Sequence, residues 1–174
     1  MDLTVDIPVD TIPIVNEKIY QTVISQPGIR YSQAETLVKE LMKDENFQSI
    51  SVTDRKRILD RILNEIKGRM MEDIVLLETK KARPNKEVFK LKFAIGEFDM
   101  VVFDPENITS EIYEIKHSIE AVPGQYRNLV DEKKCRETEF QFGHIIRKCV
   151  IYRGENRREG EVEYLNVEEY LKGL

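Results

Sequence analysis

Three charged side chains stand where buried strand is expected. Asp99 interrupts the apolar run EFDMVVF, and Glu114 and Lys116 flank an isoleucine in EIYEIKH. Residues two apart in a strand project from one face, so Glu114 and Lys116 share a side, as do Asp99, Val101 and Phe103 on theirs. If the two runs pair as neighbours, Asp99 and Glu114 converge. Carboxylates that close repel, unless a cation lies between them or one keeps a proton. Hard oxygen ligands of this kind suit Mg²⁺ or Mn²⁺, with water and substrate phosphate filling the other positions. A lysine beside such an ion orients or helps deprotonate an attacking water and offsets charge building on a phosphoryl group. Glu72, on a preceding helix, is the natural third acid. The set makes sense as a phosphodiester-hydrolysing site; the same residues also describe a cross-strand ion pair on a solvated face.

The elements that must position these residues follow from periodicity. Residues 1–15 read as an extended arm broken by Pro8 and Pro13. A short helix is expected over 16–24, closed by the QPG of residues 26–28. Ser32 with Glu35 forms a capping-box pattern opening SQAETLVKELMKD. Ile58, Ile62, Ile66, Met70 and Ile74 recur every four residues, the stripe of a long helix from Thr53, either continuous or kinked or divided at Gly68. EVFKLKFAI then alternates with period two and joins EFDMVVF through Gly96 as a hairpin. EIYEIKH is a third strand, a helix follows within QYRNLVDEKKCRETEFQFG, RKCVIYRG is a fourth strand, and a short strand and helix close the chain. Helix, three strands, helix, strand is an α/β order with a mixed sheet.

The bulk numbers exclude several classes. A chain of 174 residues holds one domain with a real core, or one domain and a small appendage. No run approaches a membrane-spanning length, and the first residues lack the pattern of a signal peptide, so a cytoplasmic protein without membrane contact is expected. Cys135 and Cys149 are too few and too isolated for a disulfide framework or zinc site. The net charge of −5 argues against coating nucleic acid by electrostatics alone. Arg147, Lys148, Arg153, Arg157 and Arg158 cluster around the fourth strand, either as a solvated edge or as contacts to a phosphate backbone, with Arg147 and Arg153 the candidates. His117 alternates to the side opposite Lys116, and His144 sits at a strand entry.

With these residues in view, the ordered set of GRMMEDIVLLET, GEFD, YEIKHS, CVIYRGE and YLNVEEYL resembles the PD-(D/E)xK nuclease superfamily. More narrowly it is similar to the C-terminal domain of unknown function that follows an AAA+ module in many prokaryotic ATPases. The resemblance covers about the last 105 residues. It implies a restriction-endonuclease-like mixed sheet over 67–174, behind an N-terminal arm and small helical unit over 1–66. It makes Glu72 the helix acid, Asp99 the metal-binding aspartate, and Glu114 and Lys116 the acid and lysine of the E-x-K pair. Gln125 falls where related nucleases often keep a polar residue facing the site. The activity implied is Mg²⁺- or Mn²⁺-dependent cleavage of nucleic acid, with an AAA+ module as partner in cis or in trans. The alternative is a catalytically silent module that keeps the fold for interaction or regulation. G-x-x-x-x-G-K-[ST] is absent, so the sequence reads as an excised C-terminal piece of an ATPase or a stand-alone relative.

Overall fold

A computed structural model describes residues 4–8, 20–24 and 27–174. Two short strands come first, β1 (Thr4–Pro8) and β2 (Tyr20–Ile24), paired antiparallel. Helices α1 (Pro27–Leu41), α2 (Glu45–Ser49) and α3 (Val52–Ala82) follow. The main sheet is built from β3 (Glu87–Lys92), β4 (Glu97–Asp104), β5 (Thr109–Ile115), β6 (His144–Tyr152), β7 (Arg157–Glu159) and β8 (Val162–Asn166). Helix α4 (Glu132–Phe142) joins β5 to β6, and α5 (Val167–Lys172) ends the chain.

The sheet has the spatial order β3-β4-β5-β6-β8-β7. Strands β3, β4 and β5 form an antiparallel meander, while β6 lies parallel to β5 and β8 parallel to β6. The alternation read from EVFKLKFAI divides its side chains between two cores. Phe89 and Leu91 join Phe98, Val101, Ile112 and Leu129 in the cluster under α4. Val88, Met100, Val102, Tyr113 and Ile115 pack with Met71, Val75 and Leu76 of α3 in the other, with Tyr170 and Leu171 of α5 against it. Each fully buried side chain of this size is worth about 1.5–3 kcal/mol, so the two faces, rather than any one contact, hold the sheet. No helix among the described residues is long and apolar enough to cross a membrane.

Local chemistry sets the helix ends. Ser51 caps α3 by accepting from the Asp54 N–H, Asp131 caps α4 through Lys133 and Lys134, and Asn166 caps α5 through Glu168 and Glu169. Gly143, with φ of 70°, ends α4 where any Cβ would lie 1.9 Å from the Ile108 carbonyl oxygen. Only glycine fits there.

The N-terminal region departs from expectation. The helix expected over 16–24 is strand at Tyr20–Ile24, and residues 16–19 lie outside the described residues. YQTVI is rich in β-branched and aromatic residues, and a partner strand in β1 decides in their favour. The extended arm expected over 1–15 is strand at Thr4–Pro8; residues 1–3 and 9–15 lie outside the description. Ser32 caps nothing: α1 already begins at Pro27, a residue suited to the first helical position, and the Ser32 hydroxyl donates to the Gly28 carbonyl at 3.2 Å. Helix α3 runs unbroken through Gly68, so the division between 66 and 67 falls inside one helix of 31 residues. Helix α1 packs against α3.

Candidate functional site

The three charged residues meet where β4 and β5 part. Their ladder stops at Met100↔Tyr113. Beyond it, Asp99 Oδ2 accepts the backbone N–H of Ile115 at 2.7 Å, replacing the missing ladder bond with a side chain. The same oxygen lies 2.8 Å from Lys116 Nζ, and Glu114 Oε2 lies 2.5 Å from that nitrogen on its other side. Asp99 and Glu114 thus share one ammonium, and both are buried. Glu114 Oε1 accepts from Asn128 Nδ2 at 2.8 Å, and Asn128 Oδ1 accepts from Lys134 Nζ at 2.5 Å.

Asp99 reaches this point through a β-bulge. Phe89 faces Val101 but Leu91 faces Phe98, so β4 carries one extra residue between them. Phe98 and Val101, three apart, lie in the same core cluster. The simple alternation of Asp99 with Val101 and Phe103 is therefore broken, as bulges re-aim side chains. Glu114 and Lys116 do share a side, as strand geometry requires: Glu114 meets Asn128 beneath α4, while its neighbours Tyr113 and Ile115 pack under α3.

Burial, then the nearby Asp99 charge, pushes the Glu114 carboxyl up to about 7, against Lys116 and the Asn128 bond, which lower it. Burial opposes the charge on Lys116, but Asp99 and Glu114 outweigh it and hold the ammonium above its ordinary range. Among the described residues no group of three or more His, Cys, Asp or Glu is arranged to hold a metal ion.

Glu72 does not join the pair. It accepts from Lys90 Nζ at 2.6 Å, and Lys90 projects to the α3 side because Phe89 and Leu91 take the other. Burial raises the Glu72 pKa first of all; Lys90 lowers it and Asp99 raises it, so the acid feels the pair across the sheet edge. Gln125 is also elsewhere. It lies in a single 3₁₀ turn, Pro123–Tyr126, with its amide donating to Ser118 Oγ at 2.6 Å and the Glu120 carbonyl at 3.0 Å. It staples a loop, and the next helix begins only at Glu132.

The basic cluster resolves largely into ion pairs. Arg147 donates to Glu163 at 2.7 Å and 3.0 Å and lies 3.8 Å from Glu111, in a network with Arg83 and Tyr113 away from Lys116. Lys148 pairs with Glu161 and Arg157 with Glu159. Arg158 and Arg153 are the exceptions. Arg158 donates to the Gly160 carbonyl at 3.3 Å. The Arg153 guanidinium stands 3.3 Å from His117 Nε2, on the far side of β5 from the Glu114–Lys116 pair.

Sequence reasoning missed Asn128 and Lys134. Their signal was faint: Asn128 lies three residues before the Asp131 cap, and Lys134 lies in the first turn that cap opens. Gly96 was read only as a turn. With φ of 83° it also leaves room for both residues, since a Cβ there would lie 2.8 Å from Lys134 Nζ and 3.2 Å from Asn128 Oδ1.

Comparison with family models, with curated proteins and with solved structures found no match to this chain.

Proposed function

We propose that the chain carries a metal-dependent phosphodiester-hydrolysing site on a restriction-endonuclease-like sheet, acting on a nucleic-acid backbone. One observation carries the reading: two buried carboxylates from adjacent strands converge on one lysine at the point where their ladder opens. The order of helix, antiparallel meander, helix and parallel strand supports it. So do the donor types. Mg²⁺ keeps several waters and is commonly bound by one or two carboxylates plus substrate phosphate, which matches two buried acids without a third. Asp99 and Glu114 would hold Mg²⁺ or Mn²⁺, and Glu72 would act from the neighbouring Lys90 pair through its charge alone.

The bound ion would supply Lewis acidity toward the phosphoryl oxygens and a more acidic attacking water. Lys116 donates to a phosphoryl oxygen or to that water, offsetting negative charge as it develops. Asn128, held by Lys134, keeps Glu114 Oε1 from turning away. Bond cleavage of labelled DNA and RNA, single- and double-stranded, tests this in Mg²⁺, Mn²⁺ and EDTA. Divalent-dependent cleavage that Asp99→Ala and Lys116→Ala each abolish is expected, with Lys116→Ala still binding metal.

A second reading rests on the same lysine. Its ammonium already lies between the two acids, as a cross-strand ion-pair array would have it. The domain would then be a silent interaction or regulatory module, with an AAA+ ATPase in cis or in trans as partner. Absence of calorimetric heat on Mg²⁺ or Mn²⁺ titration, with no metal-dependent difference between wild type and Asp99→Ala, selects this reading.

A further inference from the structure

On the α3 side of the sheet, a hollow of about 460 Å³ opens past the carboxyl ends of the three parallel strands. His117 follows β5, Arg153 follows β6, and Asn166 ends β8, and all three line it. In open α/β sheets the crevice beyond the carboxyl ends of the strands is where ligands bind, because the chain ends there splay into loops while the sheet stays rigid. The volume falls in the range of small-molecule sites.

The walls have two characters. Met70 and Ile74 of α3 and Leu171 of α5 supply an apolar floor, and His117 stands 3.3 Å from Arg153 and feels the charges of Arg153 and Lys67, which line the same hollow. No carboxylate among the described residues pairs with Lys67 or Arg153, whereas the other cations of β6 are ion-paired. The acid that shares the rim, Glu168, lies 3.9 Å from Lys172 on its own helix. A second hollow of about 520 Å³, lined also by Glu120, shares His117, Ile119 and Arg153 with the first, and Arg153 is exposed, so the cationic side is reached from solvent.

We infer that this hollow binds a small amphipathic organic anion: an apolar body seated on Met70, Ile74 and Leu171, and one carboxylate or phosphate head between Arg153 and Lys67. An apolar floor gains from covering hydrocarbon, and a guanidinium with no acid partner offers a bidentate fork for an oxyanion. The site is separate from the carboxylate pair, since His117 and Lys116 project to opposite sides of β5.

Isothermal calorimetry in EDTA, with sodium decanoate and 1-naphthyl phosphate as probes, tests this without any need for hydrolysis. Decylamine is the charge-reversed control. Saturable one-site binding of either anion is expected, weakened about tenfold or more in Arg153→Ala, with decylamine inert. Glu114→Gln should bind as wild type does, so a failed cleavage assay leaves this result standing. Thermal melts of Arg153→Ala and Lys67→Ala confirm that the variants fold. Absence of saturable binding, equal binding of decylamine, or anion affinity unchanged in both variants overturns the inference.

Discussion

Replacing Glu114 by glutamine isolates the cost of burying its charge. The folded protein raises this carboxyl from 4.5 to about 7, chiefly by burial and then by the Asp99 charge. Below pH 4.5 folded and unfolded chains both hold the proton, and stability does not change with this group. Between 4.5 and about 7 the unfolded chain ionises while the folded one still binds the proton, so stability falls as pH rises. Above 7 the cost is complete. At about 1.36 kcal/mol per pH unit it amounts to about 3 kcal/mol. Glu114→Gln removes the titration and leaves Lys116 paired with Asp99, so no charge is stranded. Urea melts in EDTA at steps from pH 4.5 to 8 measure the stability difference between wild type and variant. That difference should move by about 3 kcal/mol in favour of the variant across the window. The raised Glu72 and the lowered His117 are common to both proteins and cancel. A difference that changes by less than about 0.5 kcal/mol would falsify the argument that Glu114 is a desolvated, charge-crowded acid.

Three further outcomes follow from the same packing. Lys116→Met takes the shared ammonium from two buried acids and should cost about 3 kcal/mol without metal, with millimolar Mg²⁺ restoring part of the lost Tm; an unchanged metal-free Tm contradicts the ion-pair geometry. Gly143→Ala should destabilise by about 3 kcal/mol or more, because its Cβ would meet the Ile108 carbonyl oxygen at 1.9 Å; a loss under about 1 kcal/mol in urea melts rules out that turn. Gly68→Ala, in the interior of α3 with nothing within 4 Å of an added Cβ, should stabilise by about 0.5–1 kcal/mol, and a fall in Tm instead would mean the helix bends there.

The elements around the carboxylate pair were legible in the sequence because their signals are local. Alternation over EVFKLKFAI, four-residue spacing along α3 and the i, i+2 relation of Glu114 and Lys116 each depend on a strand or helix period that the chain carries within a few residues. The short strand and helix that close the chain were readable for the same reason. Three features needed the tertiary structure. Tyr20–Ile24 became strand because a second segment was there to pair with it, and a five-residue run of modest periodicity cannot announce its partner. The bulge that turns Asp99 toward Lys116 arises from the register of β4 against β3, a relation between two strands rather than a property of either. Glu72 was drawn away from the other acids by Lys90, whose side of the sheet was readable while its pairing was not. Charge identity is written in the chain, but which charge neutralises which is settled by distances of a few ångströms between segments far apart in sequence. Asn128, Lys134 and the hollow beyond the strand ends exist only at that level.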